Sequence, residues 1–169
     1  PQIGYQPDLE LTDKGDRKEH DMKERERMPR LERNCSDHCM NTYISNNSDW
    51  VTVATDFTTS SDQIAIAPGS LINKKVVGNR TTYSYQLDHY ALNFYSFMSA
   101  AYQVERKKWK DIDLEVYYTP EHKYNVKKMI SSLENSLSYY TEHFGPYYNK
   151  QARIIEFPRY SSFAQAFPG

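Results

Sequence analysis

The sequence predicts an α+β fold in which an antiparallel, sandwich-like β-rich domain precedes a strand–helix–strand unit. Two observations support this prediction. Through much of residues 49–118, apolar side chains recur at every second position, which is the period of a half-buried strand. After residue 125 they recur at every third or fourth position, which is the period of an amphipathic helix. The 169 residues suffice for one domain, or for one small domain and part of another.

The composition argues against several classes of function. The formal net charge is −1, from 21 Lys and Arg against 22 Asp and Glu, which gives no support for binding nucleic acid. No apolar run approaches the ~18 residues that span a bilayer, so direct membrane insertion is not expected. The two cysteines are too few for a disulfide scaffold. Because the chain starts at Pro1 and stops at Gly169 without a tapering tail, we expect a piece of a longer protein.

Residues 1–48 are expected to form a weakly ordered, charged connector. From Thr12 to Arg33 the residues are mostly Asp, Glu, Lys and Arg, with both signs interspersed. Such a segment buries too little apolar area to offset the entropy of ordering the chain.

Metal-ligand residue types cluster once, at Cys35, His38 and Cys39, with His20 as a distant fourth. A structural zinc site needs about four nitrogen or sulfur ligands, and this loop offers three at most. Two free thiols or a local disulfide are the favoured interpretation, so no metal ligand is assigned.

Alternating apolar residues predict strands within the β-rich domain, residues 49–118. The alternating sets are Val51, Val53 and Phe57; Ile64 and Ile66; Tyr83, Tyr85 and Leu87; and Ile112, Leu114, Val116 and Tyr118.

Turn residues divide these strands. Gly78-Asn79 lies between Leu71–Val77 and Thr81–Leu87 and predicts a tight hairpin. Leu92–Val104 is predicted as a further strand, and Glu105–Lys110 as a polar connection to the strand at Ile112.

A helix is predicted over residues 125–144. Asn125 is a plausible N-cap, and Gly145, placed in the left-handed αL conformation, followed by Pro146 marks the end. A short strand over residues 152–157 follows. The apolar stripe that should pack on the sheet is Val126, Ile130, Leu133, Leu137, Tyr140 and Phe144.

No motif in the chain assigns catalysis. A His-Glu-x-x-His zinc helix, a Gly-x-Ser-x-Gly elbow and a Gly-rich phosphate loop are all absent from the sequence. His89, His122 and His143 lie in different segments, and His143 is interpreted as a group that complements the helix end. The fifteen tyrosines are interpreted as half-buried structural residues. No catalytic, cofactor-binding or metal residue is therefore assigned.

Four stretches nevertheless resemble aminopeptidase-N-like zinc metallopeptidases. They are Asp62–Gly69, Glu115–Asn125, Tyr139–Tyr147 and Arg153–Phe167. The last of them resembles the branch in which such a domain is fused to an ABC transporter permease in large bacterial membrane proteins. Gly4–Leu11 also resembles the start of this region.

The resemblance implies positions in that family. Residues 49–118 would be the later part of its N-terminal β domain, and residues 119–169 the opening of its catalytic-type domain. The family's His-Glu-x-x-His helix, its later Glu ligand and its motif for the peptide N-terminus would all follow Gly169. Zinc is accordingly expected in the parent protein and no cofactor in this piece.

The sequence leaves two functional hypotheses. In the first, the chain is a non-catalytic soluble fragment of a metallopeptidase/permease protein in the bacterial inner membrane, and it supports the peptide-cleaving domain. Its partners would then be the rest of the parent chain and, in the parent, a peptide substrate. In the second, it is a peptide- or glycan-binding module of a transporter-associated protein without peptidase activity.

Overall fold

The computed structural model describes residues 13–24, 48–157 and 164–169, and the chain divides into two units. The first unit comprises Pro1–Trp50, Leu92–Phe94 and Pro158–Ala166. Its described part contains helix α1, Lys14–Glu19, which begins where the Asp13 carboxylate accepts hydrogen bonds from two backbone N–H groups. This is the usual way of satisfying the free donors of a first helical turn.

The second unit comprises Val51–Ala91, Tyr95–Phe157 and Phe167–Gly169. It contains helix α2, Val126–Phe144, preceded by a 3₁₀ turn at Pro120–Asn125. The strands in the described residues are β1 Trp50–Val51, β2 Ala54–Ser60, β3 Ile64–Ile66, β4 Ser70–Val77, β5 Arg80–Gln86, β6 Ala91–Leu92, β7 Met98–Ala100, β8 Gln103–Trp109, β9 Ile112–Tyr118 and β10 Gln151–Ile155.

Antiparallel pairing dominates the N-terminal part of the second unit. The predicted hairpin at Gly78-Asn79 is confirmed: β4 and β5 pair antiparallel, and Gly78 has a φ of 59°. Strand β2 pairs with the other edge of β5, and β3 pairs with β7. Tyr83 and Tyr85 are buried on the predicted face of β5, where the Tyr85 hydroxyl donates to the carbonyl of Ala65 at 2.8 Å.

The interpretation of residues 92–110 is wrong in the same region. Leu92–Val104 is not one strand, because β6, β7 and the start of β8 share it. The predicted polar connection Glu105–Lys110 is mostly β8, which pairs antiparallel with β9. Strand β8 is the edge of its sheet, and an edge strand tolerates charged residues on both faces because solvent and ion pairs reach them.

The predicted strand–helix–strand unit is confirmed. Strand β10 pairs parallel with β9, and α2 packs on this sheet. Leu114 and Val116 of β9 are fully buried. Beneath the helix they meet its three buried residues, Val126, Ile130 and Leu137. The chain thus has the predicted α+β, β-rich fold.

The prediction that the whole apolar stripe packs on the sheet is wrong at its C-terminal end, which is exposed. Tyr140 is 59% exposed and Phe144 is 77% exposed. Helix α2 is about 28 Å long at 1.5 Å per residue, whereas the five residues of β10 extend only about 17 Å. The seven-residue strands β8 and β9 extend about 23 Å, so the helix is longer than the sheet on which it packs.

The ends of α2 agree with the prediction in part. Asn125 occupies the N-cap position, but its side chain makes no capping hydrogen bond. Gly145 has the positive φ that the sequence predicts, 109°, although its ψ of 177° lies outside the αL region. No helix in the described ranges is long and apolar enough to cross a membrane.

Candidate functional site

A buried group of charges, which we call the Glu115 cluster, comprises Glu115, Arg106, Tyr117 and Arg153. Glu115 and Tyr117 lie on the face of β9 opposite Leu114 and are both buried. The Glu115 carboxylate accepts from Arg153 Nε at 2.9 Å, from Arg106 Nε at 2.9 Å and from the Tyr117 hydroxyl at 3.0 Å. Three donors therefore satisfy a carboxylate that is only 9% exposed, which is the condition under which a charge can be buried.

Arg153 extends this cluster to the loop after β3. Its Nη2 donates to the carbonyl of Gly69 at 2.9 Å and its Nη1 to the carbonyl of Ala67 at 3.2 Å. The guanidinium also lies 5.6 Å from the centre of the Tyr85 ring. One side chain on β10 thus joins the β-rich region to the strand–helix–strand unit.

The Pro68-Gly69 turn approaches β5 so closely that only glycine fits. Gly69 has a φ of 89°, and a Cβ placed there would lie 2.2 Å from the backbone oxygen of Gln86. The Gly69 N–H also donates to the carbonyl of Gly169 at 3.4 Å. Glycine is therefore required both for the conformation and for the close packing.

The electrostatics of the Glu115 cluster are those of a structural site. Burial raises the pKa of Glu115, but hydrogen bonds and charges from Arg153 and Arg106 outweigh it and hold the pKa below its ordinary value. Burial raises the pKa of Tyr85 to about 12 and raises that of Tyr117 as well. At neutral pH the Glu115 carboxylate is therefore ionised between two guanidinium groups, and both tyrosine hydroxyls keep their protons. Such a set of paired groups can hold segments together.

A second group, the Glu156 cluster, comprises Thr119, His122, Glu156 and Tyr102. Thr119 directly follows β9 and Glu156 directly follows β10. Because these strands are parallel, their carboxyl ends meet at one edge of the sheet. The Glu156 carboxylate accepts from the Thr119 N–H at 2.8 Å, from the Thr119 hydroxyl at 3.0 Å and, in the tautomer protonated there, from His122 Nδ1.

The Glu156 cluster places an oriented histidine at an open edge. His122 is exposed, and the Tyr102 hydroxyl fixes the backbone beneath it by donating to the Glu156 carbonyl at 2.6 Å. A carboxylate that orients an imidazole occurs beside metals and in catalytic triads. Here the Thr119 hydroxyl lies 2.9 Å from the same His122 Nδ1 that faces Glu156. In residues 13–24, 48–157 and 164–169, no three His, Cys, Asp or Glu side chains are placed to hold a metal ion.

The residues highlighted by the sequence do not converge on one site. His89 pairs with Asp88, and His143 stacks on Tyr139 with its Nδ1 2.8 Å from the Tyr139 carbonyl, at the helix end as predicted. Cys35, His38 and Cys39 lie outside the described residues. Sequence reasoning missed both clusters. The one available signal was that parallel strands on either side of a helix bring Thr119 and Glu156 together.

Glu156→Gln is expected to reduce the acid sensitivity of the fold. Burial raises the pKa of Glu156, but hydrogen bonds from Thr119 and His122 lower it by more, so the pKa lies below its ordinary value. At acidic pH the unfolded chain therefore binds more protons at Glu156 than the folded chain does. The stability that this carboxylate contributes is present above its ordinary pKa and is lost as the pH falls through its pKa in the folded state. Urea unfolding between about pH 5 and pH 3 should show a shallower loss in the variant. An unchanged slope would contradict the assignment.

The chain is similar in fold to part of a known protein. No protein-family model matches it, and no curated protein matches it. Among 89 matching chains of solved structures is the crystal structure of Legionella pneumophila aminopeptidase A in complex with aspartic acid, with a TM-score of 0.56 and 15% identity. The match covers 63% of this chain and 14% of that one. At this identity the similarity shows the fold alone: over most of its length, the chain has the fold of a small part of an aminopeptidase.

Proposed function

We propose that the chain is a non-catalytic part of an aminopeptidase-like zinc metallopeptidase joined to an ABC transporter permease in a bacterial membrane. In this role it supports the peptide-cleaving domain. The observation that carries the proposal is the fold shared with a small part of an aminopeptidase. The joining to a permease rests on the sequence resemblance at residues 153–167.

The Glu115 cluster supports a scaffolding role. Arg153 connects the Gly69 turn, in the part that resembles the family's β domain, to β10, in the part that resembles its catalytic-type domain. Ser70 and Gln151 add a second connection, a hydrogen bond of 3.2 Å between their side chains. Paired buried charges fix position better than they add free energy, which suits a segment that must hold one region in register with another.

Zinc chemistry belongs, in this proposal, to the rest of the parent protein. Zinc there would activate a water for attack on a peptide carbonyl. The described residues of this chain do not fit the metal, because they bring no three ligands together. The chain's own contribution is therefore to position neighbouring elements.

The purified chain is expected to bind no stoichiometric zinc and to cleave no aminoacyl reporter. Elemental analysis after dialysis against zinc, and hydrolysis of an alanyl nitroanilide substrate, measure the two properties. The matched control is the Cys35→Ser/Cys39→Ser variant, which removes the strongest potential ligands. One zinc per chain that disappears in this variant, or reporter cleavage by the unaltered chain, would contradict the proposal.

A binding module is the second candidate, and one observation favours it. The last turns of α2 expose a group of contacting aromatic rings: Tyr139, Tyr140, His143 and Phe144. Exposed aromatic rings provide contact area for peptides or sugars. The residues that follow Gly169 in the parent discriminate between the candidates, since an intact His-Glu-x-x-His helix favours the peptidase and its loss favours the binding module.

A further inference from the structure

Strand β4 is an edge strand with unusually exposed apolar side chains. It terminates the sheet order β2-β5-β4, and no other strand of the described residues pairs with its outer side. Every residue from 71 to 77 is exposed. The apolar members are Leu71, Ile72, Val76 and Val77, with Ile72 62% and Val77 64% exposed. An exposed apolar edge of this kind is a template for a further strand.

The hairpin determines which backbone groups of β4 are free. Val77 and Arg80 flank the two-residue turn, and in such a hairpin the flanking pair exchanges both backbone hydrogen bonds. Along an antiparallel ladder, residue pairs that exchange backbone hydrogen bonds alternate with pairs that do not. The N–H and C=O groups of Lys74 and Val76 therefore point away from β5, where an added strand would meet them.

Another antiparallel edge strand, β8, is protected by charge. Its residues Arg106, Lys107 and Lys108 each form an ion pair, with Glu115, Glu134 and Asp113 respectively. Consecutive charges along an edge oppose pairing with a further strand. Strand β4 has only two charges, Lys74 and Lys75, which lie between Asn73 and Val76. Its pairing with β5 is irregular between Leu71 and Asn73 and regular from Asn73 to Val77.

These two lysines indicate what can pair with β4. Lys74 lies 5.2 Å from the centre of the Tyr83 ring, and neither lysine forms an ion pair with a carboxylate of the described residues. Both occupy the middle of the strand, so a second copy of β4 in antiparallel register would place lysines opposite lysines. Like charges directly opposite each other destabilise a strand pair, which disfavours self-association.

We propose that β4 is a docking edge for an extended acidic segment of a partner protein. The segment adds a fourth strand to the β2-β5-β4 sheet. Its two adjacent carboxylates lie opposite Lys74 and Lys75, and neighbouring β-branched residues lie opposite Val76 and Val77, in the part of β4 whose register is regular. Backbone hydrogen bonds to Lys74 and Val76 provide the affinity, and the charges select the partner, as in other strand-addition complexes.

The test uses the full chain and a fluorescein-labelled, capped peptide, Thr-Val-Val-Glu-Glu-Thr-Val-Thr, with binding followed by anisotropy. We expect saturable binding that weakens as salt is added. Lys74→Glu/Lys75→Glu should lower the affinity by about tenfold or more, and a peptide with Lys-Lys in place of Glu-Glu should restore binding to that variant. The matched control, Lys127→Glu/Lys128→Glu on an exposed part of α2, should bind like the unaltered chain.

Backbone participation is tested separately. A peptide N-methylated at alternate residues cannot donate to the edge and should lose binding, and the amides of Lys74 and Val76 should gain hydrogen-exchange protection when the unmodified peptide binds. No saturable binding, equal binding of the methylated peptide, or equal binding of the acidic and basic peptides by the unaltered chain would overturn the proposal. A chain that dimerises through β4 in sedimentation experiments would overturn it as well.

Discussion

Replacing Glu115 by alanine should destabilise the fold by about 3–5 kcal/mol, because it leaves buried cationic groups without their partner. The largest part of the loss should come from Arg153, because its side chain is only 9% exposed and its Nε would lose the carboxylate that accepts its hydrogen bond. Arg106 is far more exposed and can find water instead. Urea unfolding followed by circular dichroism measures the difference in the free energy of unfolding.

Two further variants separate charge from packing. Glu115→Gln keeps the size and one acceptor oxygen, so its loss should be smaller than that of the alanine variant but still clear. Arg106→Gln removes the exposed partner and should cost at most about 1 kcal/mol. If the Glu115→Ala and Arg106→Gln variants unfolded at the same urea concentration, the buried cluster would not hold the two regions together as described.

Periodicity explains which parts of the fold the sequence predicts. The alternation at Ile112, Leu114 and Val116 identifies β9 because one face of that strand meets a helix and must be apolar. Strand β8 has no such face, since it lies at the edge and its charged residues form ion pairs. Its sequence therefore resembles that of a loop, and nothing in the pattern alone distinguishes the two.

The clusters of the candidate site have a different origin. Glu115, Arg153 and the Gly69 carbonyl come from three distant segments, and Thr119 is 37 residues from Glu156. A single sequence does not show which distant residues meet in space. The sheet topology does show it, because both clusters depend on β10 lying parallel beside β9. The domain boundaries at residues 48 and 118, and the fusion to a transporter, remain predictions.

Leu137→Ala should cost about 2–5 kcal/mol of stability, because it removes a side chain that is only 8% exposed and leaves a cavity beneath α2. Leu137 packs in one core cluster with Ile130 and Leu114. Leu133 is only partly buried, so Leu133→Ala should lie below that range or at its lower end. Urea unfolding of the full chain measures each loss.

Phe144→Ala is the decisive comparison, since the sequence pattern and the structure disagree about this residue. Phe144 continues the same apolar stripe as Leu137, yet it is 77% exposed, so its removal should change stability by no more than about 0.5 kcal/mol, like Lys127→Ala on an exposed part of the helix. A loss for Phe144→Ala comparable to that for Leu137→Ala would mean that the last turn of α2 is covered. The exposed aromatic rings would then be part of a core and unavailable for binding a partner.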